Sequence, residues 1–397
     1  MATNVRNPIW VQALSAPGAH AFALLFAIDS VTRATLATIV PLQLFAVTGS
    51  PALLSVIYFA ISVTGLLANF LIAPLTGLIS RRYAFTLGCL CQLAAPLLIW
   101  QGTLTMVVLG MLLRMFGSAT ITVCLNLYIL DHIRGRALNA MEPLRLTFVA
   151  GAWTLCPWLG VFLWGRVEWL PFAVASTCAV ILAGYFWYLR VGDNPVIRKA
   201  RSTPANPFAA VLPFIRQRRL LLTWLIAFGR STWWVAFFVY LPVFALQSGL
   251  SRETGALMVS AGNALLFLTP VLARFGHRYG LRGSLVRAFV VAGAITVAAG
   301  AFAWVDPRIA CALLLVCTLP VVVLDIFGNV PFLRMVKPSE RIPMTGVFAT
   351  YRDGSEIAAP ALAALVLTVL PLPAFFVVLG LLMGTVSMAA ASLPRRL

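Results

Sequence analysis

Long apolar runs, interrupted by short polar, glycine- or proline-containing stretches, follow one another along all 397 residues of the chain. A helix needs about 20 apolar residues to cross the hydrocarbon core, and it must satisfy its own backbone polar groups there. Breaks placed at charged clusters, glycines and prolines predict twelve such helices. Helices 1 to 6 run over 19–46, 52–79, 84–101, 105–130, 144–165 and 169–189. Helices 7 to 12 run over 220–247, 254–275, 285–304, 308–333, 345–370 and 373–393. A membrane β-barrel would alternate polarity over segments of about ten residues. The uninterrupted "ALLLVCTLPVVVL" (Ala312 to Leu324) has no such alternation. The predicted fold class is an all-α integral membrane protein.

Composition agrees. The chain is 61% hydrophobic and 10% charged, with a mean hydropathy of +0.96, values that a water-soluble domain could carry only by exposing apolar surface. The amino-terminal "MATNVRNPIWVQALSAPG" lacks a short apolar core followed by a small-residue cleavage site, so helix 1 is expected to serve as an uncleaved signal. All seven cysteines lie inside apolar segments and are read as small hydrophobes, with neither disulfides nor a metal cluster expected.

The formal charge of +18 raises nucleic acid as a partner, but the placement of the charge argues otherwise. Of 29 Lys and Arg residues, twenty-one fall at the termini or in even-numbered connections, among them Arg81, Arg82, Arg134, Arg136, Arg198, Lys199, Arg201, Arg278 and Arg282. Only Arg166, Arg252 and Arg308 fall on the other side, and Arg33, Arg114, Arg145, Arg230 and Arg352 lie within helices. That asymmetry is the positive-inside signature. It predicts cytoplasmic termini, a cytoplasmic basic linker facing anionic lipid, and no nucleic-acid partner.

The chain also repeats itself. Arg82-Tyr83 after helix 2 reappears as Arg278-Tyr279 after helix 8, 196 residues later. Pro41 pairs with Pro242 at an offset of 201, and Asn126 with Asn329, Met141 with Met344 and Pro157 with Pro360 at 203. Ordered offsets near half the chain length predict two parallel six-helix halves, 1–190 and 220–397, joined by a basic linker at 191–219.

Twelve helices in two such halves, with short basic loops after helices 2 and 8, resemble the major facilitator superfamily of secondary transporters. Gly77, Arg82, Arg278, Gly280 and Arg282 match that family's loop motif. Arg81 and His277 stand where the family has Asp, and Ala84 replaces the second glycine. Arg114 with Gly117 resembles the fourth-helix motif of drug/proton antiporters, with the glycine one residue early. "AGAWTLCPWLG" (Ala150 to Gly160) is similar to their fifth-helix motif through Pro157 and Gly160, with Cys156 where glycine is usual. The resemblance implies a central cavity lined by helices 1, 4, 7 and 10, and helices 5 and 11 that rock against 2 and 8. Gly77, Arg82, Pro157, Gly160, Arg278, Gly280, Arg352 and Pro360 are accordingly gating candidates.

Ionisable groups inside a bilayer are expensive and invite a functional reading. Asp29 lies about 15 Å into helix 1, with Arg33 one turn later on the same face. Arg114 reaches comparable depth from helix 4, so the three can meet, either as a proton-coupling centre or as a static ion pair that fixes packing. Asp325 stands alone in the sequence of helix 10, four residues before Asn329. In helix 11, Arg352 and Glu356 are spaced for an intrahelical pair and Asp353 points about 100° away. Asp29, Asp325, Asp353 and Glu356 are the proton-coupling candidates. Helix 7 places Arg230, Trp233, Trp234 and Phe237 close together, where they can hold an anionic or aromatic solute or merely pack. With Arg33, Arg114, Asn126 and Asn329 they form the candidate substrate set. Asp131, His132, Glu142, Arg145, Glu340 and Arg341 are read as loop or interfacial groups.

The predicted function is secondary transport of a small organic solute by alternating access, with protons as coupling ion and export as the direction. Proton-coupled uptake or exchange of an organic anion is the alternative, and a transport-dead receptor or a membrane-embedded enzyme a remote one. The scattered His20, His132 and His277 and the absence of a phosphate-binding GxxxxGK[ST] loop argue against an enzyme or an ATP-driven pump. No cofactor or metal is expected, and the protein is expected to act as a monomer in a bacterial inner membrane.

Overall fold

The computed structural model describes residues 19–132, 136–189, 210–337 and 340–394. The expected linker at 191–219 therefore lies outside the described residues up to 209, as do the amino terminus and the side chains of Asp131, His132, Glu142, His277 and Arg341. Every regular element among the described residues is a helix, and eleven are long and apolar enough to cross a membrane. The chain is a multi-pass membrane protein, and the structure is consistent with twelve crossing segments.

The remaining segment, helix 11, is broken at Thr350 into Arg341–Ala349 and Tyr351–Leu367. Thr350 Oγ1 donates to the main-chain oxygen of Val347 at 2.7 Å, a local bond that competes with the helical ladder. Helix 1 likewise divides into Ala19–Thr35 and Ile39–Thr48. Thr32 and Thr35 bond back to the carbonyls of Ile28 and Val31 just before that break. Prolines explain two further divisions, because each removes a ladder donor. Helix 8 tightens at Leu265–Leu268 ahead of Pro270, and Thr269 Oγ1 caps the Leu266 oxygen at 2.6 Å. Helix 10 stops at Phe327 and resumes at Val330–Met335, which contains Pro331.

Helix 5 extends over Arg136–Arg166, eight residues earlier than its predicted start. Helical structure before helix 9 begins at Arg274, and the chain turns at Gly280, whose φ of 67° favours glycine. The corresponding residue of the first half, Ala84, is buried within helix 3 (Arg81–Trp100). That position needs no left-handed conformation, which accounts for the missing glycine.

Contacts divide the chain into two compact units. The first comprises Met1–Leu36, Leu67–Cys156 and Leu163–Thr203, the second Ala37–Leu66, Pro157–Phe162 and Pro204–Leu397. In the first unit, Phe85 stacks on Phe186 at 4.0 Å within a core that includes Phe22, Cys124 and Tyr128. Helices 3 and 4 approach closely at Gly117, where a β-carbon would lie 2.8 Å from the Gly88 oxygen. Small residues allow such backbone contact between membrane helices. The second unit uses the same device between helices 9 and 12, where a β-carbon on Gly380 would lie 2.7 Å from the Gly293 oxygen. Its core stacks Phe332 on Phe348 at 4.1 Å and packs Tyr240 against Phe375.

Candidate functional site

In the first unit, helix 1 carries Asp29 into full burial, with Arg33 Nη2 2.7 Å from its carboxylate. The spacing of four residues puts them on one face, and the Arg33 side chain remains 26% exposed while Asp29 is sealed. Arg114 of helix 4 reaches the same place and donates through Nη2 to the main-chain oxygen of Arg33 at 2.9 Å. Arg145 of helix 5 lies over the Phe26 ring, one turn from Asp29, at 4.8 Å. Two arginines, from helices 1 and 4, thus converge on one deeply buried carboxylate, with a third packed on the neighbouring Phe26.

In the second unit the polarity of the arrangement is reversed. The arginine stands on helix 7 and the acid on helix 10: Arg230 Nε lies 3.1 Å from Asp325, whose side chain is 28% exposed. Trp234 Nε1 donates to the other carboxylate oxygen at 2.8 Å. Asp325, solitary in sequence, is therefore held from two sides. Arg230 also donates to Tyr351 Oη at 3.1 Å and approaches the Leu324 oxygen at 3.5 Å. A β-carbon on Gly328 would sit 3.2 Å from Arg230 Nη1, so the glycine at the helix 10 break leaves room for the guanidinium.

The other helix 7 aromatics are placed differently. Trp233 and Phe237 are buried and stacked at 5.1 Å, and Trp233 Nε1 donates to Thr296 of helix 9 at 3.0 Å. Phe237 fills the space beside Gly262. Only Trp234 of this group contacts the ion pair. Asn126 is exposed on helix 4, whereas Asn329 sits at the helix 10 break with Oδ1 buried and unbonded.

Helix 11 brings Tyr351 beside Arg230 and leaves Arg352 and Glu356 exposed, with Asp353 half-buried. Arg352 Nε turns to Tyr351 Oη at 3.3 Å, in place of the intrahelical pair with Glu356 that the spacing suggests. In the sequence, charge singles out Arg352, Asp353 and Glu356 and leaves Tyr351 unmarked. A phenol adjacent to an arginine at the start of an apolar helix was the available signal.

The gating candidates separate by unit. Arg82 lies over the Trp187 ring at 5.3 Å, and Trp187 Nε1 donates to Thr86 at 3.0 Å. In the second unit Arg278 and Arg287 both lie over Tyr279, at 5.6 and 4.0 Å. The repeated Arg-Tyr pair thus makes a cation–aromatic contact at both occurrences, through a different ring in each. Gly77 lies in helix 2. Pro157 and Gly160 are buried in helix 5, and the next main-chain N–H, that of Trp158, donates to Ser260 Oγ of helix 8 at 3.0 Å. Pro360 is buried inside helix 11.

Comparison with known proteins supplies the family. No curated protein sequence matches the chain. Among solved structures, a POT family transporter in complex with 5-aminolevulinic acid is similar with a TM-score of 0.72 at 13% identity, over 93% of this chain and 95% of that one. The nucleoside transporter NupG gives 0.71 at 12% identity, over 95% and 99%. A peptide transporter POT in complex with sulfate gives 0.71 at 12% identity, over 98% of both chains. At these identities the likeness is one of fold. The family profile described as Major Facilitator Superfamily matches residues 22–333, which is more than half of the chain. With its membrane-crossing helices and this profile match over most of its length, the chain belongs to the Major Facilitator Superfamily and is a secondary transporter, not an enzyme.

Proposed function

We propose that the protein moves a small organic solute by alternating access with proton coupling, in the direction of export. The observation that carries this reading is the pair of carboxylate–arginine contacts inside apolar helices: Asp29–Arg33 at 2.7 Å and Asp325–Arg230 at 3.1 Å. A carboxylate in such a place costs about 2.5–3.5 kcal/mol on insertion scales, which a structural helix contact could avoid with apolar residues. Its use is that protonation neutralises one partner and frees the arginine, so that proton occupancy and conformation depend on one another. Asp29 is the primary coupling residue and Asp325 the second. Export is favoured by the Arg114–Gly117 and Pro157–Gly160 motif fragments. The basic linker and both termini are assigned to the cytoplasm of a bacterial inner membrane, and the transporter is assigned as a monomer of two repeated halves.

The test is reconstitution in liposomes containing a pH-sensitive dye, with solutes presented from a small-molecule library. Solute movement accompanied by proton movement in the wild type, and persisting without it in Asp29→Asn, supports the reading. Solute movement that carries no protons, or proton coupling that survives in both Asp29→Asn and Asp325→Asn, refutes it. Solute release against its gradient, driven by an imposed pH difference, distinguishes export from uptake.

A further inference from the structure

Tyr351 is buried, and its phenol oxygen receives two charged donors, Arg230 Nη2 at 3.1 Å and Arg352 Nε at 3.3 Å. The two guanidinium carbons also lie 5.5 and 5.8 Å from the centre of the same ring. Two like charges gathered on a neutral oxygen repel one another, and a phenol returns only part of what a carboxylate or phosphate oxygen would. Arg230 is balanced by Asp325 through Nε, but Arg352 forms no ion pair among the described residues and is exposed. Asp353, its neighbour in sequence, lies near enough to feel its charge but makes no ion pair with it.

The arrangement is built and held. Trp224 Nε1 donates to Thr350 Oγ1 at 3.1 Å, and Ser355 Oγ donates to Ser231 Oγ at 2.8 Å, so the first turn of this stretch of helix 11 is fastened to helix 7 on both sides of Arg352. Gly354 brings the two helices together, since a β-carbon there would lie 3.4 Å from Trp224. Positions fixed in this way lower the ordering cost of binding.

We infer that Arg230, Tyr351 and Arg352 form the recognition site for an anionic group, a carboxylate or a phosphate, on the transported solute. The assignment rests on the transporter reading above and names its substrate class. The bound anionic oxygen takes the place between the guanidiniums that the phenol oxygen now holds, with Arg352, the accessible partner, closing on it.

The experiment is equilibrium binding to the purified full chain in detergent, with no gradient, read by thermal shift and titration calorimetry. The probes are matched pairs: benzoate and benzamide, succinate and succinamide, phenyl phosphate and phenol. The expected result is binding by anionic members and not by their neutral counterparts. Arg352→Gln weakens that binding about tenfold to hundredfold, the range of a lost charged hydrogen bond. Arg352→Lys retains part of it, and Tyr351→Phe, which keeps both cations, binds at least as tightly as wild type. Equal response to both members of every pair, no response to any anion, or an unchanged affinity in Arg352→Gln overturns the inference. Repeating the titration in nanodiscs with and without phosphatidylglycerol separates solute from lipid. An anion affinity unaffected by that lipid supports a solute site, and its abolition by the lipid overturns the solute assignment. Because no proton gradient is present, failure here leaves the coupling reading intact, and an uncoupled transporter can still pass this test.

Discussion

Arg114 donates through Nη2 to the main-chain oxygen of Arg33 at 2.9 Å, tying helix 4 to helix 1 one turn beyond Asp29. The last carbonyls of a helix lack intrahelical donors, and the break after Thr35 leaves that of Arg33 among them. The guanidinium therefore satisfies a backbone group created by the bend while placing a second positive charge beside the buried acid.

Arg114→Gln is accordingly expected to destabilise the protein by about 1.5–3 kcal/mol and to reduce proton-driven solute flux as Asp29→Asn does. Thermal melting in detergent and solute flux in liposomes check both parts. A variant with wild-type flux would remove Arg114 from the coupling centre.

The ion pair of the second unit predicts a non-additive outcome. Removing one partner of an enclosed pair costs about 3–5 kcal/mol, because the other charge is left uncompensated, whereas removing both can be nearly neutral. Asp325 is 28% exposed, so water screens part of the cost and the lower end of that range applies. Asp325→Asn should thus melt below the double variant Asp325→Asn with Arg230→Gln, while both lose the second proton-coupling group. Equal melting temperatures would contradict a mutually dependent pair.

Adjacent tryptophans should behave differently. Trp234→Phe removes the donor to Asp325 at 2.8 Å and should change the pH dependence of transport. Trp233→Phe removes the bond to Thr296 inside the core and should cost about 1 kcal/mol of stability with transport retained. pH–flux profiles set beside melting curves for the two variants provide the check.

Close helix contacts give a purely structural prediction. Gly117→Val and Gly380→Val put side-chain atoms against backbone oxygens only 2.8 and 2.7 Å from the β-carbon position, and should cost about 1–3 kcal/mol or more through overpacking. Gly184→Ala, where nothing lies within 4 Å, should be neutral or slightly stabilising through its helix preference. Expression yield and melting temperature distinguish the two classes.

Much of the fold is legible in the order of residues. Apolar runs about 20 residues long allow little except a crossing helix, so segment number follows from local chemistry. The four-residue spacing of Asp29 and Arg33 places both on one face. Breaks within helices are less legible. Those near Pro270 and Pro331 have a local cause, but at Thr350 the hydroxyl donates to its own backbone while accepting from Trp224 of helix 7, a partner that lies far away in the sequence.

The sequence by itself determined a membrane-embedded helical repeat and the identity of the few charges inside it, because hydrophobic length and helical period are properties of neighbours along the chain. Partnership was decided by tertiary structure alone. Asp325 is solitary in sequence yet held by Arg230 and Trp234, Arg352 turns from Glu356 to Tyr351, and Trp233 packs where Trp234 binds. The physical reason is that a helix states which residues share a face but not what that face meets. In a bilayer, where lipid is as apolar as the core, only close packing and the demand to satisfy buried charge settle the meeting.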